Sequence, residues 1–279
     1  MKNSLDYELI DFGGGEKLER FGKFTVIRPE ILATKKPQFT VQRWEELAHG
    51  KYISGKKTGR WLTPNNLPQN WKCTYNSAKT TWQVELSPGK YKHVGIFPEQ
   101  EQHWKFIETR LKPGHKFLNL FAYTGASSLV AAKCGADVYH VDSSKSILNQ
   151  AAQNAAISNI DSIRWVCDDA LKFAERLNRR NEKFDFIIMD PPVYGHGKKG
   201  QRWKLEDLLP HLVSTTASLL SPGGILILNT YSPVVNLKEM QDFMEKNNLH
   251  CIDKGWLSVN TANNRKLELS KYTISQNRK

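Results

Sequence analysis

The sequence predicts an α/β fold: a mostly parallel sheet covered by helices on both faces, behind a small N-terminal β-rich module. Three observations carry this prediction. From about Glu99 onward, short apolar runs alternate with amphipathic segments of helical period. The first of those runs, "KFLNLF", closes on a turn at Thr124-Gly125 before an alanine-rich segment. The residues before Glu99 have a different texture, with short alternating runs set between turn-forming clusters.

The module covers residues 1–98. Its runs "FTVIRP", "WKCTY" and "TTWQVEL" read as strands, punctuated by "GGGEK", "KKTGRW", "TPNNLPQN" and "SPGK". "GGGEK" lacks the G-x-x-x-x-G-K-[ST] spacing of a phosphate loop, so it reads as a hairpin turn. The second domain covers residues 99–279. Helix "EQEQHWKFIETRL" stops before Lys112-Pro113-Gly114. There follow strand "KFLNLF", a helix from near Ala126, strand "DVYHVD", helix "SKSILNQAAQNAAI", strand "IRWVC", helix "DALKFAERLNRR" and strand "FDFIIMD". Helix "LEDLLPHLVSTTASLL" contains Pro210, which kinks it or sits near its first turn. Strand "ILILNTYS", helix "LKEMQDFMEKNN" and two edge strands, "LHCIDKGWLSV" and "KLELSKYTI", complete the chain.

The 279 residues carry 40 basic and 28 acidic side chains, a net charge of +12. Such an excess favours a polyanionic partner, although it also serves solubility alone. Cys73, Cys134, Cys167 and Cys251 show no C-x-x-C spacing, which disfavours zinc and redox motifs and fits reduced thiols in the cytoplasm. "MKNSLDYELIDF" lacks the apolar core of a signal peptide, and no apolar run approaches the ~20 residues of a membrane span. No metal site is expected.

Ligands of open parallel sheets bind at the carboxyl ends of strands. A dinucleotide would need three spaced glycines in the first turn, but here only Gly125 remains, with Phe121 and Tyr123 in place of small residues. A nucleoside without pyrophosphate relaxes that demand, and S-adenosylmethionine is such a ligand. Asp142 ends the second strand 17 positions beyond Gly125, close to the offset of a ribose-binding acid. A strand-end aspartate also serves as a helix N-cap, a role that Ser143-Ser144 fits equally well. After the third strand, Asp169, immediately before Ala170, is the first choice for holding an adenine amino group. Asp168 is then the N-cap, and the two can exchange roles.

At the end of the fourth strand stands Asp190-Pro191-Pro192-Val193-Tyr194. The prolines hold the exit extended and present Asp190 and backbone carbonyls to whatever enters. A following aromatic ring suits a flat substrate, since stacking a base on a ring is worth about 1–3 kcal/mol. A strand-terminating proline pair with a core tyrosine is the plainer reading. The next stretch, "GHGKKGQRWK", is basic and glycine-rich and carries Trp203, so it can contact phosphates and stack on a base, or remain a solvated loop.

"NLFAYTG", "VDSS", "DDA", "DPPVYG" and "NTYS" together resemble the class I S-adenosylmethionine-dependent methyltransferases, in particular the bacterial large-subunit ribosomal RNA group. "GEKLERFG", "QRWEEL" and "KHVGIFPEQ" extend the likeness over most of the chain. The resemblance implies a Rossmann-like seven-stranded sheet, S-adenosyl-L-methionine as cofactor, and RNA as partner, either 23S ribosomal RNA or a ribosomal precursor; the module of residues 1–98, with Lys35-Lys36 and "GKKTGRW", is expected to help grip it. It implies cofactor contacts from Phe97, Glu99, Gln100, Asn119, Phe121, Tyr123, Thr124, Gly125, Asp142, Ser143, Asp168, Asp169, Ala170 and Asp190. It assigns the reacting base to Asp190, Pro191, Pro192, Tyr194 and Tyr231. The cytosine-C5 branch of the group needs a nucleophilic cysteine after the fifth strand, where this chain has Asn229-Thr230-Tyr231-Ser232. A ring nitrogen such as guanine N7 is therefore favoured over cytosine C5. The alternatives are a small-molecule methyltransferase and a non-catalytic RNA-binding protein that keeps a relic cofactor pocket.

Overall fold

The computed structural model describes residues 4–55, 58–196 and 202–278. It divides into two compact units, residues 1–101 with 258–269, and residues 102–257 with 270–279. Among the described residues no helix is long and apolar enough to cross a membrane.

The first unit holds a five-stranded sheet in the order β1 (Tyr7–Gly13), β2 (Glu16–Phe21), β3 (Phe24–Pro29), β4 (Gly50–Ile53) and β5 (Arg60–Leu62). Neighbours are antiparallel except β3 and β4, which run parallel and are joined through helix α1 (Val41–Leu47). β6 (Trp71–Asn76) and β7 (Thr81–Leu86) form a separate antiparallel pair. The glycine cluster is the β1–β2 turn: Gly14 and Gly15 have φ of 60° and 84°. At Gly13 a Cβ would lie 2.3 Å from the Lys35 carbonyl oxygen, so no side chain fits.

β1 and β2 escape the apolar-alternation rule because their buried positions include charges. Asp11 is fully buried and accepts hydrogen bonds from the amides of Phe12, Gln38 and Phe39, from Trp44 Nε1 and from Arg265 Nη1. Glu19 is equally buried and accepts from Tyr7 Oη and Arg28 Nε. A buried carboxylate survives only with such partners.

The second unit is a mixed seven-stranded sheet with helices. Helix α2 (Glu101–Arg110) leads to β8 (Lys116–Leu120), α3 (Ala126–Lys133), β9 (Asp137–Asp142), α4 (Lys145–Ile157), β10 (Ile163–Cys167), α5 (Ala170–Arg179) and β11 (Phe184–Met189). A short pair, β12 (Tyr194–His196) and β13 (Arg202–Lys204), precedes α6 (Leu205–Ser218), β14 (Leu220–Thr230), α7 (Leu237–Lys246), β15 (Leu249–Asn260) and β16 (Lys266–Asn277). The order is β10-β9-β8-β11-β14-β16-β15, with the first five strands mutually parallel and β16 antiparallel to β14. The fold class predicted from the sequence is this one. Pro210 lies inside α6, beyond its first turn. Apolar side chains of β8, β11 and β14, among them Leu118, Ile187 and Leu226, pack with α5, α6 and α7 into one buried cluster. This core fixes the strands whose ends carry the site.

Candidate active site

Strand order reverses between β8 and β11, and β8, β9, β10, β11 and β14 all end on the same edge of the sheet. A ligand crevice is expected at such a reversal. The predicted residues of the second unit stand in the segments that leave this edge.

The turn after β8 is unusual in its backbone. Phe121, Tyr123 and Gly125 have φ of 57°, 50° and 98°. Bulky residues in the left-handed region cost roughly 1–3 kcal/mol each unless the surroundings fix them. Here they do: the Tyr123 amide donates to Asp142 Oδ2 at 3.1 Å, the Ala122 amide to the Val141 carbonyl, and Asn154 Nδ2 to the Thr124 carbonyl at 3.0 Å. At Gly125 a Cβ would meet His140 at 3.4 Å and Ala151 at 3.5 Å, which is ordinary contact. Glycine is therefore required by φ and not by crowding.

Asn119 is buried, and its Nδ2 donates to Ser128 Oγ at 2.9 Å, with Ser128 Oγ 3.0 Å from His140 Nδ1. Burial lowers the His140 pKa to about 3, so the imidazole beneath Gly125 is neutral. In a central strand the Asn119 side chain thus reaches toward α3, which carries Ser128. Thr124 is also buried.

Asp142 is half-buried, and each carboxylate oxygen takes one backbone amide, Tyr123 on Oδ2 and Ser144 on Oδ1. A carboxylate has about four lone-pair sites, so each oxygen keeps acceptor capacity. Burial raises its pKa above the ordinary aspartate value, against the lowering effect of the two amides. The N-cap of α4 is Ser144, whose hydroxyl accepts from the Ile147 amide, which leaves Asp142 without that duty. Ser143 is exposed.

The two acids after β10 exchange the roles first assigned to them. Asp169 caps α5, accepting from the Lys172 amide at 3.0 Å ahead of the buried Ala170. Asp168 accepts from the Asp169 amide and from Arg176 Nη2. The cap goes to the residue that directly precedes the helix, so Asp169 has the capping role first given to Asp168.

At the end of β11, Asp190 Oδ1 accepts from Asn229 Nδ2 at 2.9 Å, and Asn229 Oδ1 accepts from Ser270 Oγ at 2.9 Å. Asn229 and Ser270 are fully buried. Pro191 is buried and Pro192 exposed. The Pro192 carbonyl accepts from Trp203 Nε1 at 2.6 Å and the Val193 carbonyl from the Leu205 amide. The Trp203 ring packs on Phe121, with centroids 5.1 Å apart. Trp203 is therefore engaged with the proline exit and the β8 turn, not held out for stacking. Tyr194, 62% exposed, is the ring presented to solvent, while Tyr231 is half-buried just past β14. Gly197, Lys198, Lys199, Gly200 and Gln201 of the basic loop lie outside the described residues, as do Lys56 and Lys57.

Phe97, Glu99 and Gln100 belong to the first unit, around a 3-10 turn spanning Pro98–Gln100. Glu99 and Gln100 are buried, and Phe97 packs on His93 with centroids 4.9 Å apart. Among the described residues no group of three or more His, Cys, Asp or Glu side chains is placed to hold a metal ion.

Sequence reasoning named Trp203 as a stacking ring and missed its hydrogen bond to Pro192, and it missed the positioning roles of Asn229 and His140. An asparagine inside the apolar run "ILILN" and a histidine inside "VYHV" are the available signals, since a polar group in a buried strand demands a partner. Nothing local marks the partners of Trp203, namely Pro192 and Phe121, which come from earlier segments of the chain.

The donor set fits a nucleoside ligand: acceptor carboxylates end β9 and stand after β10, and the first turn has no run of glycine amides to cradle a pyrophosphate. Comparison with known proteins agrees. A solved S-adenosylmethionine-dependent methyltransferase from Agrobacterium tumefaciens superposes with a TM-score of 0.88 at 33% identity, covering 98% of this chain and 91% of that one. The ribosomal RNA large subunit methyltransferase I of Aeromonas salmonicida is 34% identical over half of this chain and 35% of its own length. The K/L methyltransferase of Syntrophotalea carbinolica is 33% identical over half of this chain and 20% of its own. The chain thus spans well under half the length of these curated relatives. The model of the S-adenosylmethionine-dependent methyltransferase family matches residues 25–270, and the chain belongs to that family.

Proposed function

We propose that the chain methylates a base of ribosomal RNA, 23S RNA or its precursor, in the cytoplasm, with a ring nitrogen such as guanine N7 as the favoured target. The observation that carries this reading is the fixed acceptor Asp190, set by buried Asn229 at the end of β11, on the edge where the β8 turn and Asp142 also lie. Its support for RNA comes from the names of the relatives and from the net charge of +12.

When bound, S-adenosylmethionine supplies an electrophilic methyl on a sulfonium. Asp142 would hold the ribose hydroxyls with the lone pairs its two amides leave. Asp168, oriented by the Asp169 amide and Arg176, accepts from the adenine amino group. Asn229 donates to Asp190, so Asp190 acts as an acceptor and selects a base edge that carries N–H donors, as guanine does. Tyr194 and Tyr231 supply rings for the base plane. A ring nitrogen attacks with an in-plane lone pair and needs no prior deprotonation, so positioning provides most of the acceleration. The same acceptor would hold an exocyclic amine of the base, which is the competing target. Cytosine C5 is disfavoured because β14 ends in Asn229-Thr230 and not in a cysteine.

Three outcomes are expected. In a deletion strain, mass spectrometry of digested ribosomal RNA shows one missing methyl group, restored by the intact gene and not by an Asp190→Ala copy; an unchanged spectrum contradicts the reading. Trp203→Phe, which keeps the ring and loses the hydrogen bond to Pro192, lowers kcat about tenfold while the cofactor affinity holds, and Trp203→Ala lowers it further, consistent with loss of a positioning contact. Cofactor affinity measured by calorimetry falls as pH drops through a value above the ordinary aspartate range, because Asp142 must be ionised to accept from ribose and its pKa is raised by burial. Since the folded value exceeds the unfolded one, the folded protein binds this proton more tightly, and Asp142 costs stability at neutral pH that is regained in acid. Asp142→Asn removes the affinity step.

A further inference from the structure

The positive charge of the chain is not evenly spread. Between Leu47 and Pro98 there are eight Lys and Arg residues and a single acid, Glu85. That stretch supplies seven of the twelve net positive charges from under a fifth of the chain. It lies wholly in the first unit.

Within it the fold sets two cation-aromatic pairs side by side. Arg60-Trp61 forms the edge strand β5, and Lys90-Tyr91 lies in the loop after β7. Trp61 Nε1 donates to the Tyr91 carbonyl at 3.2 Å, and Tyr52 Oη to the Lys90 carbonyl at 3.4 Å. The Gly59 amide donates in turn to Tyr52 Oη at 2.9 Å, and the Tyr52 and Trp61 rings meet edge to face at 5.5 Å. The loop is thus bound to the strand through its backbone, which leaves the side chains free to face outward. Arg60 and Lys90 are exposed, and Tyr91 is 58% exposed with Lys90 Nζ 5.7 Å from its ring centroid. Aromatic rings open to solvent beside unpaired charge density of one sign are the equipment of a single-stranded nucleic-acid platform, where bases stack and cations track phosphates.

We infer that Arg60, Trp61, Lys90 and Tyr91 form a second RNA-binding surface, one that takes unpaired nucleotides and is built from none of the residues assigned above to methyl transfer. The inference rests on the reading of RNA as substrate. Lys56 and Lys57 count in the sequence charge but are not part of the surface.

The test measures binding of the full-length protein to a fluorescently labelled single-stranded RNA oligonucleotide of mixed sequence, by anisotropy across a salt series. Tyr91→Ala weakens binding roughly five- to a hundredfold and Tyr91→Phe restores it. The pair Arg60→Ala/Lys90→Ala flattens the slope of log affinity against log salt by roughly 1.4, about 0.7 for each phosphate contact on a single strand. All variants keep the wild-type affinity for S-adenosylhomocysteine, which shows the fold intact. If the wild type binds the RNA and the variants bind equally well with the same slope, the surface is not an RNA site, and the substrate reading stands. If the wild type binds no RNA, both are overturned. If the variants lose binding only to assembled ribosomal particles and not to bare RNA, the surface belongs to a protein partner and the inference is wrong.

Discussion

The acceptance of two backbone amides by one carboxylate holds the candidate site together. Asp142 fixes the Tyr123 amide from the turn after β8 and the Ser144 amide from the start of α4. The first bond crosses from one strand end to the next, and it stabilises a turn in which Phe121 and Tyr123 both adopt left-handed backbone. A turn so strained would relax without an external anchor. The anchor is also the group with acceptor capacity left for a ribose, so shape and recognition depend on one side chain.

A second buried polar chain does the same for the other half of the site. Ser270 on β16 fixes Asn229 on β14, and Asn229 fixes Asp190 at the end of β11. The antiparallel strand β16 is therefore more than an edge addition, because it supplies the outermost member of a chain that ends at Asp190, after β11. Trp203 links the two halves, donating to Pro192 and packing on Phe121. Each contact restricts a group that would otherwise need to be ordered when a ligand arrives, and holding groups in place before binding lowers the entropic cost of reaching a productive geometry.

The alternation of apolar runs and amphipathic helices made the sheet and its helices legible, and the strand ends made Asp142 and Asp190 legible with them. What escaped was polar burial. β1 and β2 carry Asp11 and Glu19 inside, so apolar periodicity gives no signal there. The roles of Asp168 and Asp169 differ by one position of helix start, which only cap geometry decides. Asn119 sits in the motif that marks the turn, yet the two-residue period of the strand turns its side chain under α3. Trp203 looked like a stacking ring from composition, and its tertiary partners gave it another task.

The central claim is that the crevice at Gly125 holds an adenosine by Asp142. A crystal structure of the full chain with S-adenosylhomocysteine tests it most directly. The account predicts both ribose hydroxyls within hydrogen-bond distance of the Asp142 carboxylate and the adenine amino group at Asp168. A ribose bound away from Asp142, with that carboxylate still holding only its two amides, would contradict it.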